Sequence, residues 1–366
     1  MTKDKGSAKG KGPRDPKAAV QATERPRVDV RKMDRDTIPG SLAASLEAIG
    51  YDKIVKPGDL VVIKVNATHF HYLPGLTVNP DLVYHFVKAL KDKGCKVIVG
   101  EGDLQRVSAE AALKGCGIEK AARKAGAKVV NFCKGPRVNL DVKGEYFDFN
   151  RYKVPKYYVD ADVFASMPVF KTHKLTQVTL TLKNHFGCVP DDLRLKYHGD
   201  IHKVLADFCQ LLDPKLVVMD GIIGLESDGP IAGLPKKLGL VLTATNAVAA
   251  DAVACNIMGY DPKKVQHIYH AHKRGLGPID PKAMILSGEK LKDVKDPFEK
   301  PNADSISKME KWISPHPLMS HLVYRTFFKP AKWVSWTWRG LTGYKRKYIE
   351  RIKKTGLWDD YDNLFH

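Results

Sequence analysis

The chain has 366 residues, of which 43% are hydrophobic and 28% charged, the balance of a folded protein rather than a disordered one. It holds no stretch approaching the roughly 18 consecutive apolar residues of a membrane-crossing helix, and its first residues lack the apolar run of a signal peptide. The net charge of +19 is concentrated at the ends, with +5 in residues 1–40 and +6 in residues 301–366; this argues against nucleic acid, whose binders carry their basic stripe on folded elements.

Residues 1–27 are rich in Lys, Gly and Pro, and are expected to form a disordered basic tail because they bury too little to offset the entropy of ordering. LVVIKVN (60–66) predicts a buried strand. Residues 77–94 predict a helix capped by Asn79, with Pro80 at its first position, Leu82, Phe86 and Leu90 on one face, and Gly94 beyond its end. A second strand (95–103), a helix (108–125) and a third strand (128–132) follow, the alternation of a parallel sheet with right-handed crossovers. Residues 137–158 alternate weakly and suit a hairpin or flap. Beyond them come a strand (160–170), a helix (201–212), a strand (215–221), a glycine-rich loop (221–235), a strand (238–245) and a helix (246–259).

The fold class expected is α/β, as two linked lobes with mostly parallel sheets over 28–136 and 137–300, the second lobe carrying the site. A basic, aromatic-rich C-terminal extension over 301–366, irregular or helical, holds all five tryptophans: Trp312, Trp333, Trp336, Trp338 and Trp358. Residues 312–338 are expected to pack back on the body. Residues 341–354 place Leu341, Tyr344, Tyr348 and Ile352 on one helical face and basic residues on the other, a candidate for lying on an anionic membrane surface. The cysteines, Cys95, Cys116, Cys133, Cys188, Cys209 and Cys255, include no C-x-x-C pair, so no iron–sulfur cluster is expected. Thiols in a reducing cytoplasm are the plain reading, with peripheral membrane attachment left open.

The densest polar group, MPVFKTHKLTQVTLTLKNHFG (167–187), begins at the C-terminal end of an apolar strand, where open α/β sheets bind ligands. A solvent-exposed polar loop is the competing reading. Lysine supplies a point charge for a carboxylate or phosphate, and histidine can act as acid, base or ligand. Strand alternation puts Lys171 and His173 on one side; an extended 176–184 would repeat this for Lys183 and His185. Lys171, Lys183 and Asn184 are thus binding candidates, with His69 in the loop after the first strand and Gly229 in the glycine-rich loop. The catalytic candidates are His173, His185, Asp220 at a strand end, and Asp251 inside the apolar helix AVAADAVACNIMG. A buried Asp251 needs a partner, and Lys171 or Lys183 could supply it. His198 and His202, four apart, are weak metal candidates, and no other metal site is expected.

That polar segment, with IHKVLADF, VVMDGIIGLESDGPIAG, NAVAADAVACNIMGYDP and GLGPID in order after it, resembles the domain-of-unknown-function 362 family over about Val61 to Asp280. Many of these mostly bacterial and archaeal relatives append a cysteine-rich ferredoxin-like cluster domain; here the C-terminal extension contains no cysteine. The resemblance implies a small-molecule enzyme of undefined reaction, acting on an anionic substrate in a cleft between the lobes. A non-catalytic ligand-binding or assembly module of an anaerobic or redox pathway is the alternative, and membrane or nucleic-acid binding through the basic tails a third.

Overall fold

A computed structural model describes residues 24–104, 107–140, 144–149, 153–188, 197, 199–302 and 343–356. The N-terminal tail before Glu24, His198 and all five tryptophans lie outside these described residues.

In chain order the first half comprises β1 (Arg27–Lys32), α1 (Ile38–Ala48), α2 (Tyr51–Ile54), β2 (Leu60–Lys64), α3 (Pro80–Asp92), β3 (Lys96–Glu101), α4 (Ala109–Gly115), α5 (Ile118–Lys124) and β4 (Lys128–Asn131). A small antiparallel pair, β5 (Arg137–Val138) and β6 (Val154–Pro155), leads to α6 (Lys156–Asp160). Next come β7 (Val163–Ser166), β8 (Val169–His173), β9 (Gln177–Val178), α7 (Leu180–Asn184) and a 3-10 turn over His185–Cys188. The remainder is α8 (Ile201–Leu212), β10 (Leu216–Asp228), β11 (Ala232–Ala244), α9 (Ala247–Ile257), α10 (Gln266–Lys273), β12 (Ile285–Gly288), α11 (Leu291–Val294) and α12 (Tyr344–Thr355).

The architecture is α/β with one large, mostly parallel sheet in the order β12-β1-β11-β10-β7-β2-β3-β4; β8 also pairs with β10, and β9 with β8. Strands from both expected lobes share this sheet, because β7 is parallel to β10 on one side and to β2 on the other. The sheet is covered on both faces, so its central strands are apolar on both sides. In β2, Val61 and Ile63 face the core under α1 and α3, while Val62 faces the core that contains Phe164, Val204 and Phe208. A third cluster packs the alanine-rich α9 against Val217, Met219, Leu240 and Leu242.

Local chemistry sets the element ends. Asn79 caps α3 by accepting from the N–H groups of Asp81 (2.8 Å) and Leu82 (3.4 Å), with Pro80 at the first helical position. The helix expected over 108–125 is two helices, because Gly117 takes a φ of +76° between them.

The glycine-rich loop expected over 221–235 is instead a long antiparallel ribbon of β10 and β11. Its glycines permit close packing: a Cβ on Gly221 would meet the Leu240 carbonyl oxygen at 2.9 Å, and one on Gly233 the Glu226 carbonyl oxygen at 2.5 Å. Lys183 and His185 do not extend the strand that carries Lys171, because 180–184 is helical.

Candidate functional site

From β2 the chain winds outward through β3 to β4, then returns to the other side of β2 as β7 and β10. The gap between the carboxyl ends of β2 and β7 is therefore a topological switch point, where open α/β sheets leave room for a ligand. Buried polar side chains collect at these strand ends: Lys64 from β2, with Asn66 just beyond it, Glu101 from β3, Ser166 from β7 and Lys171 from β8.

Asn184 joins the two strands across the gap. Its amide nitrogen donates to the Lys64 carbonyl oxygen (3.3 Å) on β2 and to Ser166 Oγ (3.2 Å) on β7. Its oxygen accepts from Lys64 Nζ (3.2 Å) and Asn66 Nδ2 (3.0 Å). Asn66 Oδ1 in turn accepts from Lys171 Nζ at 2.8 Å, and the Leu76 carbonyl oxygen accepts from the same ammonium at 3.0 Å.

Lys64 is ion-paired to Glu101. The second Glu101 oxygen accepts from the Ala67 N–H at 3.0 Å. Gly187 allows this approach, since a Cβ there would lie 3.0 Å from Glu101 Oε1 and 3.1 Å from Lys64 Nζ. Among the described residues, two buried lysines thus lie near a single carboxylate, which pairs with Lys64, while Lys171 contacts only neutral oxygens. Burial, with smaller contributions from the charges of Lys183 and Lys64, pushes the Lys171 ammonium down to about 7 despite the opposing pull of Glu101.

His185 is fully buried beside this network, and neither ring nitrogen has a hydrogen-bond partner among the described residues. Burial first, and the Lys64 charge second, push it down to about 3, so its imidazole is neutral at physiological pH. Lys183 is half-buried, with its ammonium 4.5 Å from the centroid of the Phe186 ring, and its charge is felt by Lys171. Lys171 and Asn184 are therefore joined through Asn66, with His185 alongside. The group is closed: Lys171 and His185 are 0% exposed.

The other candidates lie elsewhere. The His173 ring accepts from the N–H groups of Leu175 (3.0 Å) and Thr176 (3.4 Å) in the turn after β8. Asp251 is buried and paired, but with backbone and not with a lysine: it accepts from the N–H groups of Thr181 (2.7 Å) and Leu182 (2.9 Å) at the start of α7. Burial still pushes it up to about 7. It thereby anchors the helix that presents Asn184 and leads into His185.

Asp220 accepts from the N–H groups of Asn79 (2.8 Å) and Ile222 (3.0 Å), and burial pushes it up to about 6. It lines a small cavity with Arg35, Tyr72 and Gly75. His69 is half-buried and stacked on Phe70 (4.3 Å), with its ring accepting from the His71 N–H at 3.1 Å. Gly229 packs against β8, where a Cβ would meet the Thr172 carbonyl oxygen at 2.1 Å. His202 stacks on His267 with centroids 5.9 Å apart. Among the described residues no group of three or more His, Cys, Asp or Glu side chains is placed to hold a metal ion.

Sequence reasoning had not singled out Lys64, Asn66, Glu101 or Ser166. The signal was present, because each ends or directly follows an apolar strand.

Among the described residues no helix is long and apolar enough to cross a membrane. A thylakoid-associated protein of Synechocystis sp. (strain ATCC 27184 / PCC 6803 / Kazusa) is 27% identical over 283 residues, covering 71% of this chain and 86% of the relative. No solved structure gives a significant match. The family described as a domain of unknown function (DUF362) matches residues 61–256, which include Lys64, Glu101, Lys171, Asn184 and His185. With more than half of its length matched, the chain belongs to the domain-of-unknown-function 362 family.

Proposed function

We propose that the switch-point centre is the site of an enzyme acting on an anionic small molecule, with Lys171 holding the negative charge and His185 exchanging a proton. The observation that carries this reading is the charge imbalance: Lys64 and Lys171 are buried around one carboxylate, Glu101. A buried cation without a direct counter-ion is costly unless the site's work requires it. A bound carboxylate or phosphate would restore neutrality and favour a charged Lys171. His185 presents two ring nitrogens without hydrogen-bond partners among the described residues. Burial and the Lys64 charge hold its basicity low, and a bound anion that offsets that charge would raise it toward the range in which an imidazole exchanges protons.

The test is thermal unfolding of wild type and Lys171→Met with a panel of mono- and dicarboxylates and phosphate monoesters at pH 6 and pH 9. At least one class should raise Tm at pH 6, raise it less at pH 9 where Lys171 has lost its proton, and leave the variant unmoved. A panel that shifts both proteins equally at both pH values would refute the reading. A ligand that binds this way but is never turned over, in wild type or His185→Gln, would favour a non-catalytic binding module.

A second reading is supported by the thylakoid association of the relative and by α12, which exposes Arg346, Lys347, Lys353 and Lys354. In this reading the chain is cytoplasmic and attaches peripherally to anionic lipid. Flotation with phosphatidylglycerol vesicles at low salt should carry the protein, and charge reversal at these four positions should release it. Equal recovery with neutral and anionic vesicles would exclude it.

A further inference from the structure

Lys171 has no exposed surface, so a ligand can reach it only if something moves. The segment over it is the loop of residues 66–78, between β2 and α3. On its inner side the Leu76 carbonyl oxygen accepts from Lys171 Nζ (3.0 Å) and from Thr68 Oγ1 (3.1 Å). On its outer side, two residues earlier in the chain, the Pro74 carbonyl oxygen accepts from the Tyr348 hydroxyl of α12. Between them Gly75, at a φ of +82°, passes so close to β10 that a Cβ would lie 2.4 Å from the Gly224 carbonyl oxygen. A helix some 270 residues later in the chain thus touches the loop two residues from its contact with the site.

Among its described side chains, α12 buries Tyr348, Ile352 and Thr355, and Arg351 pairs with Glu226 on β10 at 2.7 Å and lies 3.7 Å from Glu299. Much of the rest of the helix is exposed, and a groove of about 280 Å³ separates part of it from Leu234 and Glu299. An element with two buried apolar anchors among its described side chains opens locally at lower free energy than the sheet does.

We propose that α12 is a strap: docked, it holds the 66–78 loop shut over Lys171, and released, it lets the loop lift and admits the ligand. The strap gains its purpose from the anion-site reading, but access to Lys171 can be measured without any ligand.

The test uses the full-length chain. Lys171 acetylation by a small anhydride is followed by mass spectrometry in wild type, Tyr348→Phe and Ile352→Asp, alongside hydrogen exchange of the loop, α12 and β2–β3 amides. Tyr348→Phe removes one buried hydrogen bond and should speed exchange of the Gly75–Val78 amides by about fivefold. Ile352→Asp should detach α12 and raise Lys171 labelling by tenfold or more, with β2 and β3 amides still protected.

Detachment of α12 with Lys171 still fully protected would overturn the strap. If Ile352→Asp instead exposes β2 and β3, the Tyr348→Phe result decides, and unchanged loop exchange there would overturn it. Neither failure touches the anion-site reading, which the Tm panel judges separately.

Discussion

Two buried polar centres in this molecule differ in how completely they are satisfied. Around Asp207 on α8, one oxygen accepts from Arg274 (2.6 Å) and the Glu145 N–H (3.0 Å), and the other from the N–H groups of Tyr146 and Phe147 (both 2.7 Å). Every donor has its acceptor, and the product is mechanical: the 144–149 segment is pinned to α8. At the switch point one carboxylate pairs with Lys64, Lys171 contacts only neutral oxygens, and an imidazole sits without a hydrogen-bond partner among the described residues. Fully satisfied polar networks specify structure, whereas incompletely satisfied ones retain a cost, which the proposed anion would offset at the switch point.

The largest effect that would test this contrast is Asp207→Ala. It leaves three backbone N–H groups without their acceptor and takes one of two carboxylates from the partly buried Arg274, which keeps Glu145 at 2.9 Å, and should cost about 3 kcal/mol in denaturant unfolding. Anion-induced stabilisation, rescaled to the lower Tm, should survive. Loss of anion binding with stability intact would reverse the roles assigned to the two centres.

Asp251→Ala leaves the Thr181 and Leu182 N–H groups unpaired at the start of α7 and should cost about 2 kcal/mol. Its pH signature has a definite sign. The native carboxyl, at about 7, binds a proton that the unfolded one releases near 3.8. Its contribution is therefore fully present below 3.8 and lost as pH rises to 7. Stability curves between pH 4 and 7 should be less downward-sloping with pH in the variant.

Lys171→Met should cost about 1–2 kcal/mol at pH 7, because relief from a buried cation without a directly bonded carboxylate is set against the loss of its hydrogen bonds to Asn66 Oδ1 and the Leu76 carbonyl oxygen. Here the sign is opposite. Between about 7 and 10.5 the unfolded lysine holds a proton that the native one has lost, so wild type gains stability across that window. The variant should lack this rise while also losing the anion response.

The smallest effect is expected from His185→Leu, a few tenths of a kcal/mol near neutrality, since no hydrogen bond is broken among the described residues. From about 3 to 6.5 the unfolded imidazole binds the extra proton, so wild type gains stability with pH there and the variant should gain less. A loss above 2 kcal/mol at pH 7 would show that His185 has a structural partner after all.

The elements most legible in the sequence were those whose local chemistry and tertiary role agree. Asn79-Pro80 opens α3 as its capping pattern requires, and β2 and β3 read as buried strands from their runs of consecutive apolar residues, Leu60 to Ile63 and Val97 to Val99. The place of the buried polar cluster, at the carboxyl ends of parallel strands, is where sequence reasoning puts a candidate site. Its membership was less legible. Lys64 and Glu101 are single polar residues at strand ends, 37 positions apart, and only the register of β2 against β3 brings them together.

Asp251 was recognisable as buried, but its partners are backbone N–H groups, which no side-chain pattern advertises. The glycines of the β10–β11 ribbon signal turns in the sequence, yet they serve close packing against Phe170, Leu225 and Leu240. The Thr and Val content of 176–184 suits an extended chain, yet 180–184 is helical, with the Thr181 and Leu182 N–H groups donating to Asp251 on another helix.

The position of β1 also bears on how the chain is made. This strand is antiparallel to residues 240–244 and parallel to residues 285–288. It is synthesised among the first residues of the fold, yet both of its neighbours emerge from the ribosome more than 200 residues later. At the roughly 5–20 residues per second of synthesis, its two bare edges wait ten seconds or longer for partners. Asp29, which ends up bonded to Ser45 and Ser287, is a charge on that waiting edge, and charged side chains are the usual guard against adventitious strand pairing. The closing step of the fold is thus a late insertion of high contact order, and chaperone dependence during translation should centre on this strand.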